Sequence, residues 1–149
     1  NSTVLLVEKD EDDFRFFSAA LREGASGRRV HWAHDAEDAR AYLAGVEGYS
    51  DRTIFPPPDL ILVDLRRPGV GELEFVRWLR GGAEGAHIPV VALSAAHDPG
   101  DWTRAKALGV DAFHLRPAEP RRLAALVDSL VRFWSRHAQN VSAMDSHAA

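Results

Sequence analysis

Short apolar runs that recur along this chain, most of them ended or followed by a polar residue, constrain its fold more than any other feature. They are Thr3 to Glu8 (TVLLVE), Asp59 to Asp64 (DLILVD), Ile88 to Ser94 (IPVVALS) and the shorter Asp111 to Leu115 (DAFHL). Each is too short for a stable helix and the first three are rich in β-branched residues, the pattern of a strand covered on both faces, as in parallel sheets. Val30 to Ala33 (VHWA) is a weaker, alternating fifth candidate.

Helical spacing fills the gaps. Phe14, Phe17, Ala20 and Leu21 follow an acidic start, Ala36 to Ala44 follow the candidate cap Asp35, and Leu73, Val76 and Leu79 occupy the third gap. Asp98 with Pro99, and Glu119 with Pro120, head the last two helices. The final stripe is Leu123, Leu126, Val127, Leu130, Val131 and Trp134. Strand and helix alternating five times predict an α/β fold: a doubly wound, five-stranded parallel sheet with helices on both faces and right-handed crossovers. One domain is expected over residues 1–137. The loop from Gly48 to Pro58 is long, and its three consecutive prolines exclude helix. Beyond His137 periodicity is lost, so residues 138–149 are expected to form a disordered tail.

A net charge of -4 and a pI near 6.0 give no global reason to bind nucleic acid or anionic lipid. Without cysteine there is no disulfide, thiolate metal site or thiol nucleophile, which fits a reducing cytosol. No run of roughly eighteen apolar residues could span a bilayer, so a soluble, cytoplasmic protein is expected. The seven histidines have no metal-ligand spacing, and no GxxxxGK[ST] phosphate loop or GxGxxG stretch occurs. An enzyme on such a fold would need a cofactor loop, and none is visible.

In an open parallel sheet, ligands sit outside the carboxyl ends of the strands. The residues there are Glu8, Lys9 and Asp10, then Asp64, Ser94 and Arg116. A carboxylate attacks a phosphoryl donor only where charge on the transferring group is neutralised, so cations and a hydrogen-bond donor belong beside it. Each residue also has a plainer reading: Asp64 as a turn cap, Glu8 as an acid favoured by a helix N-terminus, Ser94 as a buried hydroxyl bonded to backbone, Phe113 as core, and Arg116 as a surface residue.

The texts VEKD, DLILVDLRRPG, VVALSA and HLRP, in this order over about residues 3 to 134, resemble the receiver domain of two-component response regulators. The resemblance implies a flavodoxin-like strand order 2-1-3-4-5. It implies Asp64 as acceptor of a phosphoryl group from a kinase histidine, and Mg2+ held by Glu8, Asp64 and the backbone carbonyl of Arg66. Ser94 matches the hydroxyl that turns toward the phosphoryl oxygens and Phe113 the aromatic switch position. Arg116 stands where the family has a lysine, and the Arg116–Pro117 bond is a candidate for the cis form. Such a protein is a switch rather than an enzyme, with self-phosphorylation and autodephosphorylation as its limit of catalysis. With no output domain expected after residue 137, the chain is similar to stand-alone receivers. The proline loop and the Phe133–Trp134 pair are similar to the small receivers that partner bacterial phytochrome-type histidine kinases. Trp134 continues the core stripe, so Phe133 must point elsewhere and is available for a homodimer contact.

Two positions depart from the family. Lys9 replaces the second acid, and an ammonium cannot ligate magnesium. Glu8, Asp64 and Lys9 without an ion carry the same net charge as three carboxylates with a divalent ion, so Lys9 is expected to mimic the metal. This gives the alternative of a pseudo-receiver that binds proteins, with phosphorylation slow or lost. Asp10 compensates only if the turn is re-registered. Arg116 keeps the charge of lysine but presents a planar fork suited to two-pronged contact.

Overall fold

The computed structural model describes residues 2–24, 29–65, 70–82, 85–95 and 99–148. The elements are β1 (Thr3–Val7), α1 (Glu11–Gly24), β2 (Arg29–Ala33), α2 (Ala36–Ala44), β3 (Leu60–Leu65), a 3-10 turn (Gly71–Leu73), α3 (Glu74–Gly81), β4 (Val90–Ser94), α4 (Pro99–Leu108), β5 (Ala112–Leu115) and α5 (Pro120–Ala148). All strand pairs are parallel, in the order β2-β1-β3-β4-β5. The doubly wound sheet and its order are those expected.

Alternate residues of the strands feed two separate cores. Leu5, Val7, Ile61, Val63, Leu65, Val90 and Ala92 face α2, α3 and α4, where they meet Tyr42, Phe75, Val76, Leu79 and Leu108. Val4, Leu6, Leu60, Leu62, Val91 and Leu93 face α1 and α5, where they meet Phe17, Leu123, Val127, Leu130 and Val131. Covering both faces is why the central strands are apolar at consecutive positions rather than alternating. Each such side chain, removed from water, contributes about 1.5–3 kcal/mol before the entropy of ordering is charged against it. The edge strand β2 has only one buried residue, Ala33, which explains its weaker signature in the sequence.

The long loop after α2 is fixed by one guanidinium. Gly45 ends α2 in the left-handed region at φ +71°. Arg52 then donates to the carbonyls of Tyr42 at 2.8 Å and Leu43 at 2.9 Å in the last turn of α2 and of Phe55 at 3.0 Å in the loop, tying the helix end to the loop. Tyr42 Oη donates to Pro56 O at 2.8 Å, and Tyr49 Oη to Asp38 Oδ1 at 2.7 Å. Arg52→Ala is therefore expected to cost about 1–3 kcal/mol by leaving these acceptors unpaired. Urea denaturation measures the loss, and limited proteolysis should cut first within residues 46–58.

Three expectations need comment. Residues 138–148 are helical rather than a tail: α5 runs unbroken to Ala148. Periodicity reports burial, whereas helix continuation needs only that no breaker intervene, and neither Gly nor Pro occurs after Pro120. The Arg116–Pro117 bond is trans, since no described peptide bond is cis, which is the form ordinarily favoured before proline. Asp98, the expected cap of α4, lies outside the described residues. Midway along α5, Trp134 packs on the core beneath it while Phe133 is 61% exposed. No described helix is long and apolar enough to cross a membrane.

Candidate functional site

β1 and β3 are neighbours at the centre of the sheet, so the residues at their carboxyl ends share one rim. Glu8 follows β1, its N–H donating to Ala33 O at 3.0 Å, and Asp64 is the penultimate residue of β3. Both are buried, at 1% and 2% exposure. Next in sequence, Asp10 starts α1: its Oδ1 accepts the Asp13 N–H at 2.9 Å and its carbonyl the Phe14 N–H at 3.0 Å. That cap turns Asp13 toward the rim and leaves Asp12 exposed. Glu8, Asp13 and Asp64 then each offer a carboxylate oxygen, all within 4.8 Å of one another.

Such crowding is costly without a counter-charge. Glu8 Oε1 accepts the Asp10 N–H at 3.1 Å, but with both acids ionised Glu8 Oε2 and Asp64 Oδ1 have no hydrogen-bond donor among the described residues, and only a proton on Glu8 lets the two bond to each other. Burial, then hydrogen bonding to Asp64 and its charge, push the Glu8 carboxyl up to about 9, outweighing the Asp10 N–H that lowers it. Clustered, buried carboxylate oxygens without donors fit a small hard cation such as magnesium, which takes oxygen ligands and keeps several waters. Arg66, whose carbonyl was expected to join them, lies outside the described residues.

Arg116 follows β5, where its N–H donates to Ser94 O at 2.6 Å. Its fork divides: Nη1 lies 2.9 Å from Asp64 Oδ2 and Nη2 lies 3.3 Å from Asp13 Oδ1, with the side chain 17% exposed. The Phe17 ring lies beneath it, 5.6 Å from Cζ. Ser94 ends β4, opposite Leu65 and buried, on the same rim. Phe113 is half-buried in β5 and packs on the core beside Trp102, 6.2 Å between ring centroids. Lys9 does not occupy the position that a metal mimic requires. Its Nζ pairs with Glu72 Oε1 at 3.1 Å, and its side chain is 57% exposed. The chain bends at Lys9, directly after β1, leaving Glu8 buried and Lys9 exposed.

A scan for known families finds that residues 4–128 match the response regulator receiver domain. The chain belongs to that family. This receiver domain of two-component signalling is 38% identical over 72 residues to the polar-differentiation response regulator DivK of Brucella ovis. That match covers 48% of this chain and 58% of DivK, so the chain spans little more than half the length of the curated relatives it matches. Among solved structures, the phosphorylated cyanobacterial phytochrome response regulator RcpA superposes with a TM-score of 0.78 at 28% identity, over 90% of this chain and 94% of RcpA. The Mn2+-bound form of response regulator Rcp1 gives a TM-score of 0.75 at 25% identity, over 90% and 94% of the two chains.

Two features of this receiver domain escaped the sequence reading. Asp13 is absent from the strand-end residues to which the sequence points; its place five residues after Glu8, in the first turn of a helix that starts at the rim, is the available signal. The other is Trp32, whose Nε1–H donates to Glu8 O at 2.6 Å. Its ring is stacked between Phe14, at 4.5 Å, and His34, at 3.9 Å. Aromatic identity alone carried no hint of that bond.

Proposed function

We propose that this receiver domain is a phosphoacceptor switch in which Asp64 takes a phosphoryl group from a sensor histidine kinase. The observation that carries the reading is the Asp64 carboxylate itself: buried, one oxygen on the Arg116 fork, the other without a donor unless Glu8 beside it is protonated. In the transfer, an Asp64 oxygen forms a bond to phosphorus as the bond from phosphorus to the donor imidazole nitrogen breaks, giving an acyl phosphate. Little covalent assistance is needed, so the residues around Asp64 act by placing and neutralising charge. Glu8 and Asp64 would hold magnesium, which when bound would neutralise charge on the transferring group. Arg116 holds the acceptor carboxylate in place beforehand and is within reach of the new phosphoryl oxygens. The Ser94 hydroxyl donates to those oxygens, and Phe113, packed against Trp102, passes the change to α4 and β5.

The similarity to a phytochrome response regulator makes a phytochrome-type kinase the first donor to try, in the cytoplasm. Phe133 offers a contact for a second copy of the chain. Catalysis is confined to self-phosphorylation and autodephosphorylation. The pseudo-receiver alternative drew on Lys9 and Arg116; the ion pair of Lys9 with Glu72 weakens the first support, and Arg116 engages Asp64 itself.

The test is intact-mass spectrometry after incubation with acetyl phosphate, with and without magnesium. Gain of one phosphoryl group only with magnesium is the expected result. No gain here, nor with a phosphorylated phytochrome-type kinase, overturns the reading.

A further inference from the structure

Lys9 and Arg116, the two departures from the family pattern, meet in one residue. Lys9 removes a carboxylate from the turn after β1, yet three carboxylates still converge, because Asp13 reaches the cluster from α1. Arg116 brings a fork with two terminal nitrogens where lysine has one ammonium, and the second nitrogen is used: it lies on Asp13 while the first lies on Asp64. A lysine ammonium can also bridge two acids, but as a point charge without the fixed fork that sets the spacing of Asp13 and Asp64. We propose that Asp13 is the positioning residue of this site, supplying the third carboxylate that the turn after β1 lacks and holding the Arg116 guanidinium in register with Asp64.

The fold supports both halves of this role. Asp13 and Phe17 are four residues apart on α1, so they lie on one face of the helix. Phe17 is fully buried, and its ring faces the Arg116 guanidinium on which Asp13 places a charge. One helix stripe thus gives Arg116 both an aromatic platform and an ionic anchor. Asp13 is held at the right turn by the Asp10 cap rather than by a flexible loop. Glu8 Oε2 and Asp64 Oδ1, buried and, with both acids ionised, without a hydrogen-bond donor among the described residues, point to a cation as the remaining occupant of the cluster. Three ionised carboxylates then balance one guanidinium and one divalent cation, whereas two would leave an excess of positive charge.

The cation half of the proposal rests on the phosphoacceptor reading above; the Arg116 half does not. Two measurements on the full chain separate them. The first is a double-substitution cycle in metal-free protein with Asp13→Asn and Arg116→Gln, followed by urea denaturation. Strongly non-additive effects are expected, and additive effects overturn the positioning role. The second is titration with magnesium alone, followed by tryptophan fluorescence. Asp13→Asn should weaken binding about tenfold to a hundredfold, and adding Lys9→Asp to that variant should restore most of it. Binding unchanged in Asp13→Asn overturns the ligand role. A native protein that binds no magnesium and takes no phosphoryl group, yet shows the non-additive cycle, overturns the phosphoacceptor reading and the ligand role together and leaves Asp13 as the anchor of Arg116.

Discussion

Asp64→Asn takes up no phosphoryl group under conditions in which the native protein takes one, while its fold is kept. The amide is the same shape and still offers an oxygen to Arg116 Nη1, which now lies 2.9 Å from Asp64 Oδ2. It cannot form an acyl phosphate. The substitution keeps an oxygen toward Arg116 but removes the charge that pairs with it, so metal-free stability should fall by about 1–3 kcal/mol. The effect is thus a loss of acceptor chemistry without loss of structure, the pair of results that separates a reacting carboxylate from a structural one. Intact mass after acetyl phosphate treatment measures the first, and thermal denaturation the second. A phosphorylated Asp64→Asn protein would mean that Glu8 or Asp13 is the acceptor.

The second large effect concerns Glu8 and reverses the usual relation between site residues and stability. Its carboxyl is pushed from 4.5 up to about 9 in the folded protein, mainly by burial and then by Asp64. The folded state therefore keeps a proton that the unfolded chain gives up at much lower pH. The stabilisation from this proton is complete below about pH 4.5 and is lost progressively as pH rises toward about 9. Metal-free protein should become less stable across that window, and magnesium, which takes the place of the proton, should stabilise it more at about pH 8 than at about pH 5. Glu8→Gln keeps a hydrogen-bond donor toward Asp64 at every pH. It should flatten the metal-free dependence, raise stability at alkaline pH, and weaken magnesium binding about tenfold to a hundredfold. Denaturation from about pH 5 to about pH 9, with and without magnesium, checks all three. A native metal-free protein whose stability does not fall over that range would remove the basis for a shared proton at the site.

Much of this protein was determined by residues that are close in sequence. The runs TVLLV, LILVD and VVALS are apolar at consecutive positions because both faces of a parallel sheet are covered, and that property can be read from any one strand without its neighbours. Once the strands are parallel, their carboxyl ends fall on one rim, so Glu8, Asp64, Ser94 and Arg116 were found as a group from strand ends alone. Tertiary structure decided which of these groups touch. Lys9 follows Glu8 directly, yet at the bend after β1 it turns outward to Glu72. Asp13 was one acid among several until the Asp10 cap and the packing of Phe17 aimed it at Arg116, a residue that closes the site from the far end of the chain. Local pattern encodes burial and backbone conformation, which short stretches of chain impose on themselves. The pairing of charges across the rim depends on which oxygens and nitrogens are left together once water has been excluded, and only the packed sheet and its helices fix that.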